Sequence, residues 1–253
     1  MAFVKFDKLC MKFEVPNVQN QHSPFFNLPG KVRGLTQLPG GLHVHIVADD
    51  SGSMSNQDKG ETQPRYLEQR DRLTHLAEWA LSLNIPVYFS TLNGVHKMVQ
   101  LDPENGHEFV HKTLSELEYG YTPLYDTLKP IFDSGKDTGV TKLILVGTDG
   151  GPTASNGLPA EQQFKNLVMY ERDADHNHIA FIACVGGDIK DPKHPLHYIN
   201  ELDSAPYVDC FDDFNSEKQE ICEDYRNQYT SGLHALRIFA STFYKELDNL
   251  DGK

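Results

Sequence analysis

From Gly41 onward, short apolar runs alternate with stretches of helical period, and this constrains the fold more than any other feature of the chain. "LHVHIVA" (Leu42–Ala48), "VYFSTL" after Pro86, "TKLILVGTD" (Thr141–Asp149) and "HIAFIACVG" (His178–Gly186) are too short for helices. They are also too continuously apolar for a sheet with one wet face, so they read as strands buried on both sides. Between the first two, Leu73, Leu76, Ala77, Ala80 and Leu81 recur at the spacing of one helical face. Val110, Leu114 and Leu117 mark a second helix, and Leu124, Leu128, Ile131 and Phe132 a third. Phe164, Leu167 and Val168 suggest another, followed by a short helix near Leu196–Leu202 and a strand near Tyr207–Phe211. Leu236, Phe239, Ala240, Phe243, Tyr244 and Leu247 trace an amphipathic helix near the end. "VHKMVQL" (Val95–Leu101) follows Asn93-Gly94, a hairpin signal, and reads as an antiparallel edge strand. The expected fold is α/β and doubly wound, Rossmann-like: a mostly parallel central sheet with one antiparallel edge strand and helices on both faces.

Residues 1–40 lack a sustained period and are rich in Asn, Gln, Pro and Gly, so an irregular arm is expected there, with one short element near Phe3 to Phe13. Residues 41–253 then form a single α/β domain. The formal charge of -13 argues against nucleic acid and anionic membrane as partners and makes cation binding electrostatically easy. No apolar run approaches the ~18 residues that span a bilayer, and the first residues lack a signal-peptide core. Cys10, Cys184, Cys210 and Cys222 form no CxxC pair; they read as reduced thiols of a cytoplasmic protein.

In open α/β sheets ligands bind beyond the carboxyl ends of the strands, where the strand order reverses. That directs attention to "ADDSGSMS" after the first strand and to "TDGG" after "LILVG". Asp49, Ser51 and Ser53 stand at i, i+2 and i+4, and Asp149 ends the other central strand. These are oxygen donors only, without sulfur or imidazole. The set suits a hard divalent cation, Mg²⁺ before Ca²⁺ or Mn²⁺.

Asp49-x-Ser51-x-Ser53 followed by Met54 resembles the metal-ion-dependent adhesion site of von Willebrand factor A domains. Thr122 in "YGYTPLYDTL" and Asp149 in "LILVGTDGG" match the later motif positions in order and context, and the resemblance spans roughly Gly41 to Leu250. The segment from "GGDIKDP" to "CFDDF" is similar to an intracellular branch found in fungal and other microbial proteins. The resemblance implies that Ser51, Ser53 and Thr122 coordinate the ion through their hydroxyls. It implies that Asp49 and Asp149 bind directly or through water. One position then remains for an Asp or Glu carboxylate of a protein partner. The expected function is thus an intracellular metal-dependent protein-binding module, not an enzyme. Two alternatives stand beside it, a metal-assisted phosphoester hydrolase and a conformational switch subunit of a larger assembly.

Asp50 fills the variable position of the motif and is expected to face solvent or to sit behind the ligands. Thr122 before Pro123 also suits a helix cap. His43 and His45 share one face of the first strand and read as half-buried strand residues rather than a metal pair. His176, His178, His194 and His197 lie in polar segments and read as surface groups, and Asp212 and Asp213 as a solvated loop. Trp79 is expected in the core; Asp188 follows a strand, and a place at the rim of the site is the less favoured of its readings. Oligomeric state has no signature in the sequence.

Overall fold

The first strand, β1 (Leu42–Ala48), lies at the centre of a sheet in the computed structural model, which describes residues 2–15, 24–37, 40–211 and 230–243. Its even-numbered residues Val44, Ile46 and Ala48 pack into one apolar cluster, and Val47 packs into a second. A strand buried on both faces needs no polar alternation, which explains the apolar run Ile46-Val47-Ala48; His43 and His45 interrupt the earlier half of the strand. β2 (Val87–Thr91) and β4 (Thr141–Thr148) pair with β1 in parallel on either side, with Val44 opposite Val87 and Leu143. β3 (Val99–Gln100) adds antiparallel to β2, and β5 (Asn177–Ala183) and β6 (Val208–Phe211) extend the other flank in parallel. The strand order is β3-β2-β1-β4-β5-β6, so the sheet reverses direction of growth between β1 and β4. The expected edge strand is present but only two residues long.

Helices cover both faces. α3 (Arg65–Ser82), α4 (Gly106–Thr113) and α8 (Ser231–Ser241) bury their apolar stripes on one side. α5 (Leu124–Asp133), α6 (Glu161–Asn166), its π-helical continuation Leu167–Glu171, and α7 (His197–Leu202) cover the other. Trp79 of α3 is fully buried, donates its indole N–H to the Gly232 carbonyl at 2.9 Å and meets Phe6 edge-on. Tyr244 and Leu247, expected in the last helix, lie outside the described residues, as do Asp212, Asp213 and Cys222. Cys10, Cys184 and Cys210 are free thiols, and burial pushes the first two up to about 12. Among the described residues no helix is long and apolar enough to cross a membrane.

The expectation of an irregular arm at 1–40 is corrected by two helices, α1 (Ala2–Lys12) and α2 (Pro24–Thr36). α1 falls where one short element was expected. α2 contains Pro29, Gly30 and Gly34, which weaken an isolated helix by propensity and by a lost hydrogen bond. It forms because Phe25, Leu28 and Val32, at i, i+3 and i+7, bury on the α3 and α8 side of the sheet. Tertiary burial outweighs local propensity here.

Candidate functional site

The loops that leave β1 and β4 meet at the point where the strand order reverses. Asp49 directly follows β1 and is fully buried. Its backbone N–H donates to the Gly147 carbonyl at 3.1 Å and to Gln69 Oε1 at 3.1 Å, and Gln69 Nε2 returns a bond to the Asp49 carbonyl at 2.7 Å. One Asp49 carboxylate oxygen accepts the Ser51 N–H at 2.9 Å, and the other accepts the Thr148 hydroxyl at 2.6 Å. A side chain aimed by two donors cannot rotate away from the crest of the sheet.

Ser51 Oγ lies 3.1 Å from Ser53 Oγ, and the Ser53 hydroxyl donates to Asp149 Oδ1 at 2.7 Å. The short 3₁₀ turn Gly52–Ser55 brings the two serines to the same side. Asp149 follows β4 with its side chain fully buried, and its second oxygen accepts Arg65 Nη1 at 2.7 Å. Thr122 arrives from the loop before α5. Its N–H donates to Thr153 Oγ1 at 2.9 Å, and its carbonyl accepts the Leu124 and Thr153 N–H groups. A methyl carbon placed on Gly150 would stand 3.6 Å from Thr122 Oγ1 and 3.9 Å from Ser53 Oγ, so both hydroxyls flank that glycine. The cap role expected for Thr122 passes to Pro123, with α5 beginning at Leu124.

All five residues expected as ligands are therefore brought to one place: Asp49, Ser51, Ser53, Thr122 and Asp149. The donor set is two carboxylates and three hydroxyls. That chemistry fits a hard divalent cation. Among the described residues no group of three or more His, Cys, Asp or Glu side chains is placed to hold a metal, so any cation here would lean on the hydroxyls. Burial first, and the Asp149 charge second, raise the Asp49 carboxyl to about 6. Two carboxylates drawn together out of water thus leave a site with a demand for positive charge.

Asp50 does not face solvent. It is buried, with Oδ1 accepting the Asn93 N–H at 2.8 Å and Asn93 Nδ2 at 2.9 Å, and Oδ2 accepting the Gly94 N–H at 2.9 Å. Asn93 also donates to the Tyr121 carbonyl at 2.8 Å, and Gly52 donates to the Gly120 carbonyl at 3.2 Å. Asp50 therefore ties the β1 loop to the hairpin after β2, and Asn93 ties both to the Thr122 loop. Asp188 is exposed and sits in a local turn, its Oδ1 accepting the Lys190 N–H at 2.8 Å and its carbonyl the Asp191 N–H at 2.9 Å.

Sequence reasoning missed Arg65. Its Nε and Nη2 grip Asp58 at 3.1 and 2.5 Å, its Nη1 holds Asp149, and Asp58 Oδ2 accepts the Gly186 N–H at 3.2 Å. A bidentate pair of this kind fixes geometry as well as charge. Gln69 was missed as well. Its signal is faint in sequence: a polar residue on the buried stripe of an amphipathic helix, four positions before Leu73.

A scan against protein-family models and a comparison with curated proteins returned no match. Among solved structures the chain is similar to the pilus adhesin SpaC from Lactobacillus rhamnosus GG, with a TM-score of 0.53 and 11% sequence identity. The likeness covers 84% of this chain and 31% of that one, so the chain spans under a third of its neighbour's length. At that identity the likeness is one of fold alone, and it agrees with the doubly wound, mostly parallel sheet described above.

Proposed function

We propose that this chain is a metal-dependent protein-binding module of the von Willebrand factor A type. Asp49, Ser51, Ser53, Thr122 and Asp149 would hold a divalent cation, Mg²⁺ first, with Ca²⁺ or Mn²⁺ as substitutes. The observation that carries this reading is the convergence of those five side chains, from three separate loops, at the strand-order reversal. The bound cation supplies an electrophilic point for a carboxylate oxygen from an Asp or Glu of the partner. The protein's own groups do the rest. Thr148 and the Ser51 N–H orient Asp49, while Ser53 and Arg65 orient Asp149. Thr122 Oγ1 makes no hydrogen bond among the described residues, which leaves it free to serve as a ligand. The burial of both carboxylates lowers the local dielectric and strengthens their hold on a cation.

The surroundings suit a protein partner. Tyr119 and Tyr121, on the loop that delivers Thr122, are 69% and 54% exposed, and Leu158 on the adjoining loop is 62% exposed. Exposed tyrosines around a polar centre are typical anchors of protein interfaces. The free thiols fit a reducing, cytoplasmic setting. Calorimetric titration with Mg²⁺ and Mn²⁺, together with affinity capture in Mg²⁺ or chelator, tests the proposal. Asp149→Ala should abolish both cation binding and Mg²⁺-dependent capture. Cation affinity untouched by that substitution, or capture equal in chelator, sinks the reading.

A further inference from the structure

Several of the large apolar side chains exposed among the described residues lie on loops that interlock beside Thr122: Val95, Tyr119, Tyr121 and Leu158. A methyl carbon on Gly94 would stand 3.5 Å from Glu118 Cγ, which seats the hairpin that carries Val95 against the loop that carries Tyr119. Asn93 Nδ2 donates to the Tyr121 carbonyl at 2.8 Å. A methyl carbon on Gly157 would stand 2.5 Å from Tyr121 Cε1, so the Tyr121 ring lies against the loop that presents Leu158. That loop is closed on itself. The Ala154 N–H donates to the Leu158 carbonyl at 2.8 Å, the Gly157 N–H to the Ala154 carbonyl at 2.8 Å, and the Leu158 N–H to Asn156 Oδ1 at 3.1 Å. Thr153 fastens it to Thr122, with its N–H on the Thr122 carbonyl at 2.9 Å and its hydroxyl oxygen accepting the Thr122 N–H at 2.9 Å. Loops fixed in this way lose little freedom when a partner arrives.

Burial does not explain these side chains. Val95 is 90% exposed. Tyr119 is exposed as well, with a φ of 55°, a left-handed backbone that bulky residues rarely adopt. Strain of this kind collects at ligand-contacting segments, and exposed aromatic groups beside a polar centre mark interaction surfaces. Charge narrows the occupant. Between Lys112 and Lys129 the chain carries Glu116, Glu118 and Asp126 and no basic residue, and positions 150–160 carry no charge at all. A second acid of a partner would meet only like charge here, whereas an apolar group would gain contact area.

We propose that Tyr119, Tyr121 and Leu158 receive a bulky apolar residue of a protein segment, two positions from the acid that the cation captures. This rests on the cation-site reading and adds the side chain that must accompany the carboxylate. The spacing follows from geometry. Tyr121 and Thr122 are neighbours, with Cα atoms ~3.8 Å apart. In an extended segment, residues two apart face the same way at about 7 Å, which suits one side chain at the cation and the next on the tyrosine beside it.

Random dodecapeptides displayed on phage, selected on the full chain in millimolar Mg²⁺, provide the test. Enriched peptides should share an Asp or Glu with a Leu, Ile, Phe, Tyr or Trp two positions away. A synthetic copy of the most enriched peptide is then titrated by fluorescence anisotropy, with cation affinity measured calorimetrically alongside. Leu158→Ser and Tyr119→Asn, the latter keeping a residue that tolerates positive φ, should each weaken the peptide about ten-fold and leave cation affinity at the parent value. Alanine at the peptide's apolar position should cost as much in the parent and little in Leu158→Ser, because the two changes remove one contact. Mg²⁺-dependent binding of acidic peptides without an apolar preference, or with affinity unchanged in both variants, overturns the proposal and leaves the cation reading standing. Binding that survives chelator overturns the cation reading, and with it the pairing of an apolar residue with a coordinated acid. Failure to enrich any peptide overturns the proposal too, as does Mg²⁺-dependent self-association that both variants abolish, which would make a second copy the occupant.

Discussion

Arg65→Gln is the most informative single change. It keeps length and polarity but removes the charge that faces Asp149. The Asp149 side chain is fully buried and that of Arg65 only 15% exposed, so the pair is close to an interior one. Removing one partner of a buried pair costs 3–5 kcal/mol; the residual exposure of Arg65 places the expected loss near the lower end, about 3 kcal/mol. That value holds without a divalent cation, when Asp149 is left beside Asp49 with no counter-charge. A bound cation supplies the missing charge, so the loss in millimolar Mg²⁺ should shrink to about 1 kcal/mol. The difference of about 2 kcal/mol must reappear, by reciprocity, as cation affinity about 30-fold higher in Arg65→Gln than in the parent. Urea unfolding followed by far-ultraviolet circular dichroism, in chelator and in Mg²⁺, measures the first quantity. Calorimetric titration measures the second. A loss of equal size in chelator and in Mg²⁺ would refute the reasoning, because Arg65 would then be a structural clasp with no bearing on a cation.

Further outcomes follow from the same geometry. Ser53→Ala removes the donor to Asp149 Oδ1 and a proposed ligand, so the rise in melting temperature on adding Mg²⁺ should disappear in differential scanning calorimetry. Gly147→Ala should destabilise the fold by about 2 kcal/mol in urea titrations, because its methyl group would stand 2.6 Å from Gln69 Oε1 in a packed interior. In chelator, stability should fall as pH rises from about 4 through about 6, since the folded state holds a proton on Asp49 that the unfolded chain releases earlier. Asp49→Asn should flatten that slope. Asn93→Ala leaves Asp50 with one N–H donor fewer and frees the Tyr121 carbonyl; faster amide exchange across residues 119–122 should report the loosened loop.

The sheet was legible because buried parallel strands announce themselves as short apolar runs: β1 and β4 fall within one residue of the expected bounds, and β5 starts one residue earlier and ends three residues earlier than expected. Asp49, Ser51, Ser53 and Asp149 were legible for a related reason: each sits at a strand end, where polar residues stand out against the preceding run. Thr122 needed the family resemblance, since its own surroundings suited a cap equally well. Arg65, Asp58 and Gln69 were hidden because their roles come from tertiary placement. Nothing local says that an arginine in the first turn of α3 will reach across to the end of β4. The α2 helix was hidden for the opposite reason. Its local signals argue against helix, and only its burial against the rest of the molecule reverses them.

The pairing of β1 with β4 joins segments about a hundred positions apart, with Asp49 on one and Asp149 on the other. During synthesis at 5–20 residues per second, roughly 5–20 s separates the appearance of those two carboxylates. Such a distant parallel pairing is also among the slower events in folding, because a long loop must close before any contact rewards it. If the proposed cation site is real, a nascent or half-folded chain lacks it. Under the proposed function, divalent-ion binding would appear only after the central strands have met, and would mark the chain's maturity as well as its readiness for a partner.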